Sequence, residues 1–288
     1  MIEYQSRRAA VVRALLKYPL TAEMLMGASH AWGHPFRSMS RVRETLKSMF
    51  DDGYINRQEL PLLGQGRSRY LYFLKPKAAL IVPEVKAAPR HHALFRGLVE
   101  APYHTLAASE FCAHLERSAG ESGGRVEVLA TLRPREFTAK VTVTTRAGED
   151  ATRLVPDYTQ VVAVDGRPRL FFVEIQNNTP LIMPVGADSV TRSFRYKLTR
   201  YKSWITRFRE DHQVQQLERA FACRFDGFQV LIVTTRGAAN MRSLMQASTS
   251  RAHDGLFLFT SLDHARAGNV FTQEIWFQSS GKIRSLVA

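Results

Sequence analysis

The sequence predicts an α/β protein, α+β overall, in which a small helical module with two strands precedes a mixed sheet covered by helices. Three observations carry this. Apolar residues recur at helical spacing within the first fifty positions. Beyond position 100, Val-, Ile- and Phe-rich runs of strand length alternate with helical stretches. Between two of those runs stands Asp165-Gly166, the signature of a two-residue type I′ hairpin turn. With 288 residues and 45% hydrophobic content, the chain can bury a real core in one large domain or two ordinary ones.

The first helix is expected over Ser6 to Tyr18, with Ala9, Val12, Leu15 and Leu16 on one face and Pro19 as its stop. A short second helix runs from Thr21 to about Ala28. Ser38 or Ser40 can cap a third, in which Val42, Leu46, Met49 and Phe50 form one stripe and Arg41, Arg43, Thr45 and Lys47 the other face. Strands Tyr54 to Leu60 and Arg69 to Leu74 then bracket Leu63-Gly64-Gln65-Gly66-Arg67-Ser68. That layout, over residues 6 to 75, is a winged helix-turn-helix. In such modules the third helix enters the major groove and the wing follows the phosphates. Ser40, Arg41, Arg43, Lys47, Arg67 and Arg69 are therefore the candidate DNA contacts. His30 and His34 have metal-like spacing but no accompanying cysteines, and read as ordinary residues.

Residues 78–100 form a linker or lead-in, with Pro83, Pro89 and the adjacent His91 and His92, and separate domain 1–77 from domain 101–288. In the second domain a helix spans about Tyr103 to Arg117, and strands follow at Arg125 to Thr131 and Phe137 to Thr145. Next come the hairpin runs Tyr158 to Val164 and Leu170 to Ile175. A long basic helix (Asp188 to Glu210), a strand (Phe228 to Thr235), a helix (Ala238 to Ser248) and a strand (Leu256 to Thr260) complete an α/β sandwich.

The charge is one-sided. Lys plus Arg number 40 against 26 Asp plus Glu, a net +14 and a pI near 10.2. Residues 1–77 hold 13 cations and 6 anions, hence +7, half the excess in about a quarter of the chain. Such a surface favours polyanions, and without an amphipathic anchor or lipidation signal double-stranded DNA is preferred to a membrane. No long apolar run and no secretion signal are visible, and Cys112 and Cys223 stand far apart, so the expected location is cytoplasmic.

If the Asp165-Gly166 turn sets the register, Asp157 stands opposite Glu174 with Cβ atoms roughly 4.5 to 5.5 Å apart, and Gln176 shares their face. Like charges opposed on an apolar hairpin call for a cation, and a divalent ion is the first candidate. Lys197 is a second. It falls within the helical stripe of Phe194, Leu198, Tyr201, Trp204, Ile205 and Phe208, whereas Arg192, Arg195, Arg200, Lys202, Arg207 and Arg209 lie off it. Two placements are open: its ammonium meets the carboxylates, or it snorkels to the edge. His104 shares a face with Ala108, Phe111 and Leu115 and is either turned toward the site or a hydrogen-bonded core residue. No phosphate-binding Gly-x-x-x-x-Gly-Lys loop or Ser/His/Asp order competes.

Pro156-Asp157 on one strand and Glu174-x-Gln176 on the next, in this order of elements, resemble the PD-(D/E)xK nuclease superfamily over roughly residues 100 to 262. The implied fold is a restriction-endonuclease-like αβββαβ core. The whole chain resembles the replication-relaxation family of plasmid and mobile-element proteins, on Tyr103-His104-Thr105-Leu106, Val155-Pro156-Asp157, and Lys197 with Tyr201 four residues on. The resemblance implies Mg²⁺ or Mn²⁺ held by Asp157, Glu174 and the Ile175 carbonyl, with Gln176 where the superfamily usually has lysine. Gln can position water but cannot act as a base. Glu110 matches the extra carboxylate that many members carry, and reads equally as a surface residue.

The expected function is thus a Mg²⁺-dependent endonuclease or nickase of a plasmid or mobile element. Two alternatives stand beside it. One is a non-cleaving DNA-binding accessory factor working with other replication or mobilisation proteins. The other is a winged-helix transcriptional regulator binding a palindromic site as a homodimer.

Overall fold

The computed structural model describes residues 2–30, 35–60, 69–87, 101–145, 148–177, 194–248 and 253–287. It is a mixed α/β protein with a large mixed sheet and eight α-helices among these residues. The chain forms two compact units, residues 1–113 and 114–288. Their boundary falls inside helix α4 (Pro102–Gly120).

In the first unit, α1 (Ile2–Lys17) stops before Pro19, whose ring disfavours helical geometry in the preceding residue. The Thr21 hydroxyl accepts from Met24 N at 3.3 Å and caps α2 (Ala22–Ser29). Ser38, rather than Ser40, caps α3 (Met39–Asp51), accepting from Arg41 N at 3.4 Å. Gly53, at φ 76°, ends it, a left-handed position that glycine takes without strain. Val42, Thr45, Leu46 and Met49 are buried along α3. Thr45 therefore leaves the basic face on which the sequence put it, because it lies next to Met49 at the edge of the apolar stripe on the helical wheel. Strands β1 (Ile55–Leu60) and β2 (Arg69–Leu74) pair antiparallel from Ile55↔Leu74 to Leu60↔Arg69. The loop between them, Arg67 included, lies outside the described residues. Two 3₁₀ turns follow, Pro76–Leu80 and Pro83–Ala87, each opened by a proline. His34, His91 and His92 also fall outside the described residues.

The second unit is built on β3 (Val126–Leu132), β6 (Tyr158–Val164) and β7 (Arg167–Gln176), an antiparallel meander, with β8 (Phe228–Thr234) and β9 (Phe257–Ser261) added parallel to β7. Short strands β10 (Trp276–Phe277) and β11 (Ile283–Arg284) extend the far edge, giving the order β11-β10-β9-β8-β7-β6-β3. The hairpin register is the one its turn dictates: Val164 pairs with Arg167 and Tyr158 with Val173. Asp165 (φ 47°) and Gly166 (φ 75°) both adopt the positive φ of a type I′ turn.

Two further expectations need correction. The run 137–145 does not join the large sheet. It forms β4 (Ala139–Thr145), which pairs with β5 (Gly148–Leu154) in a separate two-stranded ribbon. Strand β5 has no apolar signal of its own, GEDATRL, and exists because β4 needs a partner for its backbone groups. Among the described residues the long basic helix is α-helical over α5 (Phe194–Trp204) and winds as 3₁₀ over Ile205–Glu210. Trp204 Nε1 donates to Asp211 Oδ2 at 3.1 Å, and Asp211 also caps α6 (His212–Ala220), a helix too short and polar to announce itself. Positions 188–193 lie outside the described residues. Helix α7 (Ala238–Ser248) has its predicted bounds, and α8 (Leu262–Ala267) follows β9.

One face of the sheet carries the main core. Val161, Leu170, Phe172, Phe228, Val230, Ile232, Phe257 and Phe259 meet Phe194, Leu198, Tyr201, Trp204 and Phe208 from α5 and its 3₁₀ extension. The ribbon closes this layer with Ala139, Val141, Val143 and Leu154. Phe172, Trp204 and Phe228 stack with ring centroids 4.9 to 5.5 Å apart. Because the hairpin register selects which residues face this layer, the turn matters to everything above it. A Cβ at Gly166 would meet nothing within 4 Å, so only backbone strain opposes a side chain there. Gly166→Val should therefore lower stability by about 1–2 kcal/mol, read as a urea midpoint shift at constant m value. An unmoved midpoint would show that the turn does not hold the register.

Candidate functional site

At the end of the hairpin away from its turn, strand pairing brings two carboxylates together. Asp157 N donates to Val173 O at 3.1 Å and Ile175 N donates to Asp157 Oδ2 at 2.8 Å, which anchors Asp157 beside Glu174. Glu174 is buried, its side chain 1% exposed, whereas Asp157 keeps 18%. From α5, Lys197 Nζ donates to Glu174 Oε2 and stands 3.8 Å from Asp157 Oδ1. One turn later Tyr201 Oη donates to Glu174 Oε1 at 2.6 Å. The i, i+4 spacing sets both groups on one helix face, over one carboxylate. Of the two placements open for Lys197, the structure has the ammonium on the carboxylates. Its side chain remains 26% exposed, so the cluster has one wet edge formed by Lys197 and Asp157.

The electrostatics follow from burial. It pushes the Glu174 carboxyl up from its ordinary 4.5 to about 7, against the opposing pull of Lys197. Burial also acts to lower Lys197, but Asp157 and Glu174 outweigh it and carry the ammonium above its ordinary value. The Tyr201 hydroxyl is driven well above the usual range by burial and by the adjacent Glu174 carboxylate. All three shifts describe a largely buried cluster in which one cation serves two carboxylates.

This arrangement answers whether Mg²⁺ or Mn²⁺ fits. Both Glu174 oxygens and Asp157 Oδ2 already accept hydrogen bonds, and Asp157 Oδ1 faces the Lys197 ammonium at 3.8 Å. Among the described residues no three His, Cys, Asp or Glu side chains converge as a metal group. A divalent ion at Asp157, Glu174 and the Ile175 carbonyl would have to displace the Lys197 ammonium, so the residues as arranged do not fit it.

The remaining candidates separate. Gln176 is half-buried at the end of β7, and its carbonyl accepts from Thr235 N at 3.2 Å. His104 and Glu110 are half-buried on α4, in the first unit, where Ala108 and Phe111 are buried. Also in the first unit, Ser40, Arg41, Arg43 and Lys47 are exposed along α3, and Arg69 at the start of β2. Arg41 pairs with Glu44 at 2.9 Å and Lys47 with Asp51 at 2.6 Å. Arg57, unremarked in the sequence, lies between Phe50 and Tyr70, 4.5 and 4.4 Å from their centroids. A second polar group also escaped sequence reading. Gln160, fully buried on the opposite face of the large sheet, accepts from Thr131 Oγ1 at 2.9 Å. The signal was one polar residue within the apolar run Tyr158 to Val164.

No helix among the described residues is long and apolar enough to cross a membrane. Comparison with protein-family models, with curated proteins and with solved structures found no match.

Two outcomes are expected of the cluster. Glu174 titrates higher in the folded chain than in the unfolded one, so its contribution is present below pH 4.5 and is lost as pH rises to about 7. The stability of the wild type relative to Glu174→Gln should fall across that window in denaturant titrations, and a flat difference would show that Glu174 is not held protonated. Lys197→Met leaves the carboxylates without their cation and should cost on the order of 3 kcal/mol at pH 8. The cost should be smaller at pH 5, where Glu174 is neutral, and a pH-independent loss would point to packing alone.

Proposed function

We infer that this chain binds duplex DNA through its N-terminal unit, and that its C-terminal unit has a nuclease-like architecture without cleaving DNA. The observation that carries the first half is the division of α3. One face is buried on Val42, Leu46 and Met49, and the other presents Ser40, Arg41, Arg43 and Lys47 to solvent. A helix–helix–helix–hairpin order around that helix supports a winged helix-turn-helix, in which α3 reads the major groove and β1–β2 lie along the phosphates. Arg43 has no ion pair among the described residues and is the principal candidate for a base or phosphate contact.

The second half rests on Lys197 and Tyr201. The meander β3-β6-β7 followed by parallel β8, with Asp157 and Glu174 on adjoining strands, supports kinship with the PD-(D/E)xK core and with the replication-relaxation family of mobile-element proteins. In that architecture the carboxylates are the metal ligands. In this chain they are engaged by an ammonium and a phenol, and Gln176 supplies neither charge nor base. The reading is therefore an accessory DNA-binding protein rather than an endonuclease.

Arg43→Glu with Lys47→Glu should weaken binding to a short duplex and reduce the log–log salt slope by about 1 for each phosphate no longer neutralised. Unchanged affinity and slope would move the DNA surface elsewhere. The wild type should leave supercoiled plasmid intact in Mg²⁺ and in Mn²⁺. Nicking that Asp157→Asn abolishes would overturn the non-cleaving assignment and restore the metal site.

A further inference from the structure

Beside α3 the first unit has a cleft of about 600 Å³ with Arg7, Arg37, Ser38, Arg41 and Glu44 in its walls. Three arginines, from α1, from α3 and from the segment that precedes α3, therefore line one concavity whose walls hold a single carboxylate. Glu44 is engaged by Arg41 at 2.9 Å, and the net charge of the cleft stays near that of two cations. Arg37 is exposed and has no ion pair among the described residues. The Arg7 guanidinium stands 5.8 Å from the ring centroid of Phe36, a buried side chain. The neighbouring cation is used differently: Arg8 donates to Asp52 Oδ2 and to Ser48 Oγ, both at 2.6 Å. Of these adjacent arginines on α1, Arg7 lines the cleft.

Arginines that share one cleft with excess positive charge suit a tetrahedral oxyanion, whose oxygens accept charge-assisted pairs of hydrogen bonds from guanidinium groups. We propose that this cleft is a phosphate site, filled in the DNA complex by one backbone phosphodiester. It rests on the DNA-binding reading above and adds a sequence-independent anchor next to the exposed face of α3. Arg7 and Arg37 are its positioning residues: they set where α3 lies along the duplex and read no base.

The test uses the full chain, the variants Arg37→Gln and Arg7→Gln/Arg37→Gln, and two probes. On a short duplex the double variant should bind about tenfold more weakly for each arginine–phosphate pair removed, equally on specific and scrambled sequences. Its salt slope should be flatter by about one to two. Inorganic phosphate at constant ionic strength should raise the melting temperature of the wild type and not that of the double variant. Arg37 is exposed, so the single variant guards against a folding defect arising where Arg7 no longer covers Phe36.

Unchanged duplex affinity and slope in both variants would overturn the DNA assignment. If phosphate protection still depended on the arginines, the cleft would take free phosphate instead. With neither effect present, the phosphate site itself is overturned. A wild type that binds no duplex would defeat the DNA-binding reading, a result separate from any difference between wild type and variants. Loss of affinity on one sequence alone would make these arginines base readers and also overturn the proposal.

Discussion

A carboxylate 1% exposed against an aromatic core has to be neutralised, and the C-terminal unit is arranged around doing so at Glu174. The neutralising groups come from α5, where Lys197 and Tyr201 are four residues apart and reach the two oxygens of one carboxylate. Placing them requires α5 to lie across β7. The stack of Phe172, Tyr201, Trp204 and Phe228 provides that packing and excludes water from the Glu174 side chain. The apolar and ionic parts of this layer are consequently one unit. The aromatic packing raises the cost of a bare charge, and the ammonium and phenol offset it.

The same layer accounts for the ribbon β4–β5. Its apolar face, Ala139, Val141, Val143 and Leu154, closes the α5 side of the core that the large sheet leaves open. Tyr196 reaches Asp150 on β5, and Arg200, stacked on Tyr196 at 4.5 Å, donates to Arg153 O at 3.1 Å. Cations on α5 that the helical wheel puts off the stripe are thus partly engaged in holding the ribbon. In the first unit Ser40, Arg41, Arg43 and Lys47 are exposed along α3, and Arg7 and Arg37 line the cleft beside it. The basic residues are thus used for packing in one unit and form an exposed basic surface in the other.

Much of the secondary structure was legible because its signals are local. Ser38 and Thr21 cap helices at the positions their side chains suit, Pro19 stops α1, and Asp165-Gly166 makes the turn that its positive φ angles require. What failed was equally physical. Strand β5 is polar and forms only against β4. Helix α6 is nine residues long and rests on the Asp211 cap. The end of α5 at Trp204 answers to the hydrogen bond from its indole to Asp211, a contact no periodicity encodes.

The sequence by itself determined the hairpin register, Val164 with Arg167 to Tyr158 with Val173, at whose end Asp157 comes beside Glu174, because a two-residue turn and a period-2 strand leave one register. It also determined that Lys197 and Tyr201 share a helix face with the apolar stripe. Which of the two open placements Lys197 takes was settled only by tertiary structure, since the choice depends on how close α5 comes to β7 and on how much water the aromatic stack excludes. The distance between ammonium and carboxylate, and the burial that drives the Glu174 carboxyl to about 7, are properties of packed elements. Short-range geometry can be read along a chain; the dielectric surroundings of a charge are made by residues far apart in it.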